Sequence, residues 1–143
     1  MKIFAMIPAR YGSQRLKMKN LALLDGKPMV SYAIQAAKNA KIFNKIYLSS
    51  ENEIFRTLAE RYEIDFYKRS HSLGASESKS DAVVSDFINA FPEADIVVWV
   101  NPTSPLQTSD EINNVVNYFI SNNLDSLITV ENRQVHADFD GAP

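Results

Sequence analysis

The chain has 143 residues, enough for one domain with a core of its own, and it carries no cysteine, which excludes disulfides and thiolate metal sites. Hydrophobic residues at 45% and charged residues at 22% describe a globular protein and exclude a disordered one. A net charge of −2 excludes a general nucleic-acid surface, since sequence-independent binding to phosphates needs a basic field.

Residues 3–7 (IFAMI) form a short apolar run, as in a strand buried on both faces, and Pro8 ends it. Twelve residues rich in cations and amides follow, then the apolar stretch 21–24 and a turn at Asp25 and Gly26. Pro28 suits the first turn of a helix, and Val30, Ala33, Ile34 and Ala37 continue at helical spacing. Residues 45–48 (KIYL) predict a strand. Ser50 and Glu53 then form an S-x-x-E capping box before the stripe Ile54, Phe55, Leu58, Ala59 and Tyr62.

Residues 64–67 alternate in polarity and predict an edge strand, followed by a polar loop over 69–79. Ser80 caps a third helix with the stripe Val83, Val84, Phe87, Ile88 and Phe91. Residues 96–100 (IVVWV) predict a buried strand, with Trp99 in the core. Residues 101–106 (NPTSPL) hold two prolines and are irregular. Thr108 and Glu111 make a second capping box, before the stripe Ile112, Val115, Val116, Phe119 and Ile120. Residues 127–130 predict a last strand.

The order βαβαβαβαβ implies a three-layer αβα, Rossmann-like domain over 1–143, with a mostly parallel sheet and right-handed crossovers. In such sheets ligands lie beyond the carboxyl ends of the strands, near a switch in strand order. Three irregular segments occupy that edge: 9–20, 69–79 and 101–106. No acidic residue precedes Asp25, whereas Lys2, Arg10, Arg15, Lys17 and Lys19 do. A positive patch in an acidic protein fits a small anionic ligand. The first loop joins arginine forks and lysine point charges to a backbone made approachable by Gly12 and Ser13. It has neither P-loop nor G-x-G-x-x-G spacing.

The segments IPARYGSQRLKMKN, LDGKPMVSYAIQAA and NPTSPLQT together resemble the acylneuraminate cytidylyltransferase (CMP-sialic acid synthetase) family, in the family's order. The resemblance implies a nucleotidyltransferase fold and transfer of CMP from CTP to a sialic-acid-like 2-keto sugar acid, with pyrophosphate released. It implies that Arg10 and Lys19 act on the reacting phosphates. Pro8, Ala9, Arg10, Gly12, Ser13, Arg15, Lys19, Asn20, Arg69 and Ser80 would line the nucleotide, the backbone at Pro8 and Ala9 with Arg69 serving the cytosine. Asn101, Thr103 and Ser104 would line the sugar acid. It also implies Mg²⁺ with ligands beyond residue 143, partners limited to CTP and a sugar acid, a homodimer at full length, and a place in cytoplasmic sugar-nucleotide and lipopolysaccharide biosynthesis. No nucleic acid and no membrane is expected. No apolar run approaches the roughly 20 residues that span a bilayer, and residues 3–8 are too short for a secretory h-region.

Three positions depart from the family. Gln14 replaces a lysine, with Arg15 beside it; Asn101 replaces a glutamine; Gln107 replaces an arginine. The first bears on the grip on phosphate and the others on the sugar. Two further readings stay open: a non-catalytic nucleotide-binding fragment, and a nucleotidyltransferase for ketodeoxyoctonate or another sugar. Asp81, Asp86 and Asp110 read as acids at helix starts or faces rather than metal ligands. His71 and His136 read as surface residues, and Tyr11 either stacks on a ligand or covers its loop. No nucleophile–base arrangement accompanies Ser13.

Overall fold

The computed structural model describes residues 1–10, 22–70, 80–102 and 108–126. In these the chain forms strand β1 (Ile3–Pro8), a hairpin of β2 (Leu23–Leu24) and β3 (Lys27–Pro28), helix α1 (Met29–Ala40) and strand β4 (Lys45–Ser50). Helix α2 (Ile54–Arg61), strand β5 (Asp65–Lys68), helix α3 (Ser80–Ala90), strand β6 (Ile96–Trp99) and helix α4 (Ser109–Ser121) follow.

The four longer strands make one sheet in the order β5-β4-β1-β6, with every pair parallel. The chain therefore steps from β1 out through β4 to β5, then returns across to β6 on the other side of β1. The switch in direction lies between β1 and β6, at the strand ends expected to hold a ligand.

Register explains how the layers form. Met6 faces Tyr47 on one side and Trp99 on the other, so alternate residues of neighbouring strands share a face. Phe4, Met6, Tyr47, Tyr67 and Val97 pack with Val83 and Phe87 of α3 and with Phe91 just after it. Ala5, Ile7, Ala9 and Leu48 pack with α1, α2 and α4 on the opposite face. The α3 layer is an aromatic cluster: Tyr47 and Phe91 lie 4.4 Å apart between ring centroids, Phe87 and Phe91 4.8 Å, and Tyr67 meets Phe87 edge-on at 5.7 Å.

Local chemistry set several boundaries correctly. The Asp25-Gly26 pair has φ of 54° and 79°, the left-handed pair that closes a two-residue hairpin. Thr108 and Glu111 form the expected reciprocal box, each side chain taking up a backbone N–H of the other residue. The strand placed at an edge is at an edge.

Two expectations are corrected. No capping box forms at Ser50 and Glu53, because Ser50 is still in β4, where its carbonyl accepts from the Arg69 backbone N–H at 3.0 Å. Asn52 instead receives the Ile54 N–H on its side chain at 2.9 Å, and Glu53 pairs with Arg56. Trp99 is 38% exposed rather than core, since β6 is an end strand of the described sheet. The strand expected over 127–130 lies outside the described residues.

Phe87 is fully buried against three aromatic rings. Phe87→Ala should lower unfolding free energy by about 3–5 kcal/mol through the cavity it leaves. Thr108→Ala, which removes only the α4 cap, should cost about 1 kcal/mol. Urea titration of the two variants beside the parent would check both size and order.

Candidate functional site

Parallel strands bring their carboxyl ends to one edge, and the alternation of side chains carries on for a residue or two beyond them. Starting from Pro8 facing Ser49 and from Ser49 facing Tyr67, this alternation places Arg10, Glu51 and Arg69 toward the α3 face. Met6 facing Trp99 does the same for Asn101. Across the sheet the order along this edge is Arg69, Glu51, Arg10, Asn101. Strands about 4.8 Å apart set the backbones of Arg69 and Arg10 two steps apart, with Glu51 between them.

Backbone hydrogen bonds fix both cations to β4. The Ala9 N–H donates to the Ser49 carbonyl at 2.8 Å, and the Arg69 N–H donates to the Ser50 carbonyl at 3.0 Å. The Val100 N–H donates to Met6 at 2.9 Å and ties Asn101 to the end of β1.

Arg69 is 4% exposed, unusual for an arginine. Its Nη2 lies 3.9 Å from Oε1 of Glu51, which is itself buried. That separation is an ion pair, too long for a hydrogen bond. Nε and Nη1 of Arg69 are buried and have no hydrogen-bond partner among the described residues, and neither does the Ser49 hydroxyl. Burial pushes the guanidinium below the usual arginine range; Glu51 and Asp86 oppose this, whereas the positive charge of Arg10 adds to it. Two cations thus share one region, an arrangement that favours an anion or a group rich in acceptors between them.

On the α3 side, the Tyr67 hydroxyl donates to Oδ2 of Asp86 at 2.7 Å. Asp86 is therefore more than a helix-face acid. Among the described residues no group of three His, Asp or Glu side chains could hold a metal ion. Glu51 and Asp86 are engaged with Arg69 and Tyr67.

Of the residues singled out in the sequence, Pro8, Ala9, Arg10, Arg69 and Asn101 come to this edge. Pro8 and Ala9 are buried, Arg10 is half-buried and Asn101 is exposed. Ser80 is the first residue of α3. Gly12, Ser13, Arg15, Lys19, Asn20, Thr103 and Ser104 lie outside the described residues, as do Tyr11 and His71. The sequence reading passed over Ser49, Glu51 and the Tyr67–Asp86 pair. The period-two continuation of β4 through Tyr47 and Ser49 could have flagged Glu51, an acid at the end of a buried strand.

Residues 4–138 match the family model described as Cytidylyltransferase. The chain belongs to the cytidylyltransferase family. It is 30% identical over 138 residues to the N-acylneuraminate cytidylyltransferase of Streptococcus agalactiae serotype V, a match covering 95% of this chain and 33% of that protein. It is 34% identical over 127 residues to the pseudaminic acid cytidylyltransferase of Campylobacter jejuni, covering 85% of this chain and 55% of that one. The chain thus spans about a third of the length of the first relative and about half of the second. Its fold is that of the CMP:2-keto-3-deoxy-manno-octonic acid synthetase solved with CTP, with a TM-score of 0.74 at 21% identity over 86% of this chain and 49% of that one. No helix of the described residues is long and apolar enough to cross a membrane.

Burial, then the bond to Asp86, pushes the Tyr67 phenol up to about 12. The folded chain holds this proton more tightly than the unfolded chain, where the phenol titrates near 10.0. The resulting stabilisation is complete below about pH 10 and is lost as pH rises through about 12. Tyr67→Phe should lose less stability than the parent across that interval, measured by denaturation at each pH. Its absorbance titration should lack a phenol step near the upper value.

Proposed function

We propose that the chain is the nucleotide-binding part of an enzyme that transfers CMP from CTP to a sialic-acid-like 2-keto sugar acid. The observation that carries this reading is the meeting of Arg10 and Arg69 at the carboxyl edge of the sheet beside the switch in strand order. Family membership supports cytidylyl transfer as the chemistry, and relatives named for N-acylneuraminate and pseudaminic acid support an acidic sugar as acceptor.

In this reading Arg10 and Lys19 neutralise the triphosphate, and Gly12, Ser13, Arg15, Asn20 and Ser80 complete the cradle. Arg69, with the backbone at Pro8 and Ala9, takes the cytosine. Asn101, Thr103 and Ser104 take the sugar acid. The anomeric hydroxyl oxygen attacks the α-phosphorus and gives up its proton to solvent; the bond from that phosphorus to the bridging oxygen breaks; pyrophosphate leaves with the electron pair. No covalent enzyme intermediate is needed. The protein lowers the barrier by aligning the two reactants and by offsetting the charge that grows on the leaving oxygen. Mg²⁺ belongs to the proposed reaction, but the described residues do not fit it, so no step here runs through the ion.

Ketodeoxyoctonate remains the competing acceptor, and the fold shared with its synthetase is compatible with either sugar. CTP should bind the chain, and Arg10→Ala should weaken it about 10- to 100-fold, the loss expected of a charge-assisted hydrogen bond. Calorimetric titration checks this; equal affinities would remove Arg10 from the site. Pyrophosphate release should require both CTP and a sugar acid, and a panel of acids would rank the acceptors. Binding without release by the chain would favour the non-catalytic fragment.

A further inference from the structure

We propose that Glu51 is a positioning residue that aims Arg69 at the nucleobase and so sets the preference for cytosine over uracil. The inference rests on the reading of Arg69 given above. Glu51 occupies the strand end between those that carry Arg69 and Arg10. Its carboxylate lies 3.9 Å from Nη2 of Arg69, with both side chains almost wholly buried. The Ser50 hydroxyl donates to the same Oε1 at 3.3 Å, which fixes the carboxylate from the β4 side.

An arginine buried to this degree normally spends its donors on protein acceptors. Here Nε and Nη1 have none among the described residues, and the Glu51 carboxylate beside the guanidinium stands too far away for a full hydrogen bond. Glu51 therefore compensates the charge without consuming the donors. Asp86 helps from α3, and Arg10 works against it from β1. A guanidinium held in this way can donate but cannot accept. Cytosine offers two neighbouring acceptors, O2 and N3. Uracil carries a hydrogen on N3, which meets the guanidinium donor with donor. Loss of the Glu51 charge frees Arg69 to swing toward solvent or toward the phosphates and removes that discrimination.

The test is calorimetric titration of CTP, UTP and inorganic triphosphate against the parent chain, Glu51→Gln, Arg69→Met and the double variant, each with its melting temperature. Glu51→Gln keeps the shape and removes the charge. It should bind CTP at least about ten-fold more weakly, with the ratio of CTP to UTP affinity falling toward one. Its affinity for triphosphate should change by less than about two-fold, because the phosphate cations are untouched. In the Arg69→Met background the Glu51 change should add nothing. An unchanged CTP to UTP ratio in a folded Glu51→Gln overturns the proposal, as does a Glu51 effect that persists undiminished without Arg69. If Arg69→Met alone leaves the ratio unchanged, the assignment of Arg69 to the base fails instead. Should Glu51→Gln not fold, Glu51→Asp withdraws the same charge by one methylene and carries the same comparison, with the same falling ratio expected.

Discussion

Strand β1 is hydrogen-bonded along both edges, to β4 on one side and to β6 on the other, and Phe4, Ala5, Met6 and Ile7 are buried. Everything else is hung on that strand. Its two faces define the two helix layers, and its neighbours on both sides run parallel to it. A parallel arrangement demands helical crossovers, so the connections are spent on packing and the carboxyl edge is left for chemistry. The switch in strand order beside β1 separates the strand end that leads to Arg10 from the one that leads to Asn101.

At this edge, charge and burial oppose one another. Water is withdrawn from Arg69 and only part of the loss is returned by Glu51 and Asp86. Replacing such an ion pair by apolar groups often stabilises a fold, whereas removing one partner is costly. A cation kept in this half-compensated state therefore speaks for recognition more than for stability. The aromatic layer beneath supplies the rigidity: Tyr67 sits two residues before Arg69, wedged against Phe87 and Phe91 and bonded to Asp86.

Much of this was legible in the amino-acid order. Apolar runs 3–7 and 45–48 are strands because a two-sided environment leaves no polar alternation, and the stripes around Ile34, Phe87 and Val116 are helices packed on them. Thr108 and Glu111 could be read as a cap because the box is closed within four residues. Ser50 and Glu53 have the same spacing and fail, because a long-range hydrogen bond from Arg69 keeps Ser50 extended, and spacing cannot report on that. Trp99 departs from its expected place in the core for a similar reason: side-chain chemistry shows affinity for a core, while strand order decides whether a neighbour is there. Glu51 was invisible as a site residue because its meaning comes from Arg69, eighteen positions away and adjacent only after β4 and β5 pair in register.

That register has a consequence for how such a chain can change over generations. Arg69, Glu51 and Arg10 reach one face only because three strands keep the same parity from Phe4, Lys45 and Asp65 onward. A single inserted or deleted residue inside β4 or β5 would turn its terminal side chain to the opposite layer, among α1, α2 and α4. Substitutions can be absorbed one at a time, but length within these strands cannot. The connections can change in length, which would alter a ligand's surroundings and leave the paired charges in place.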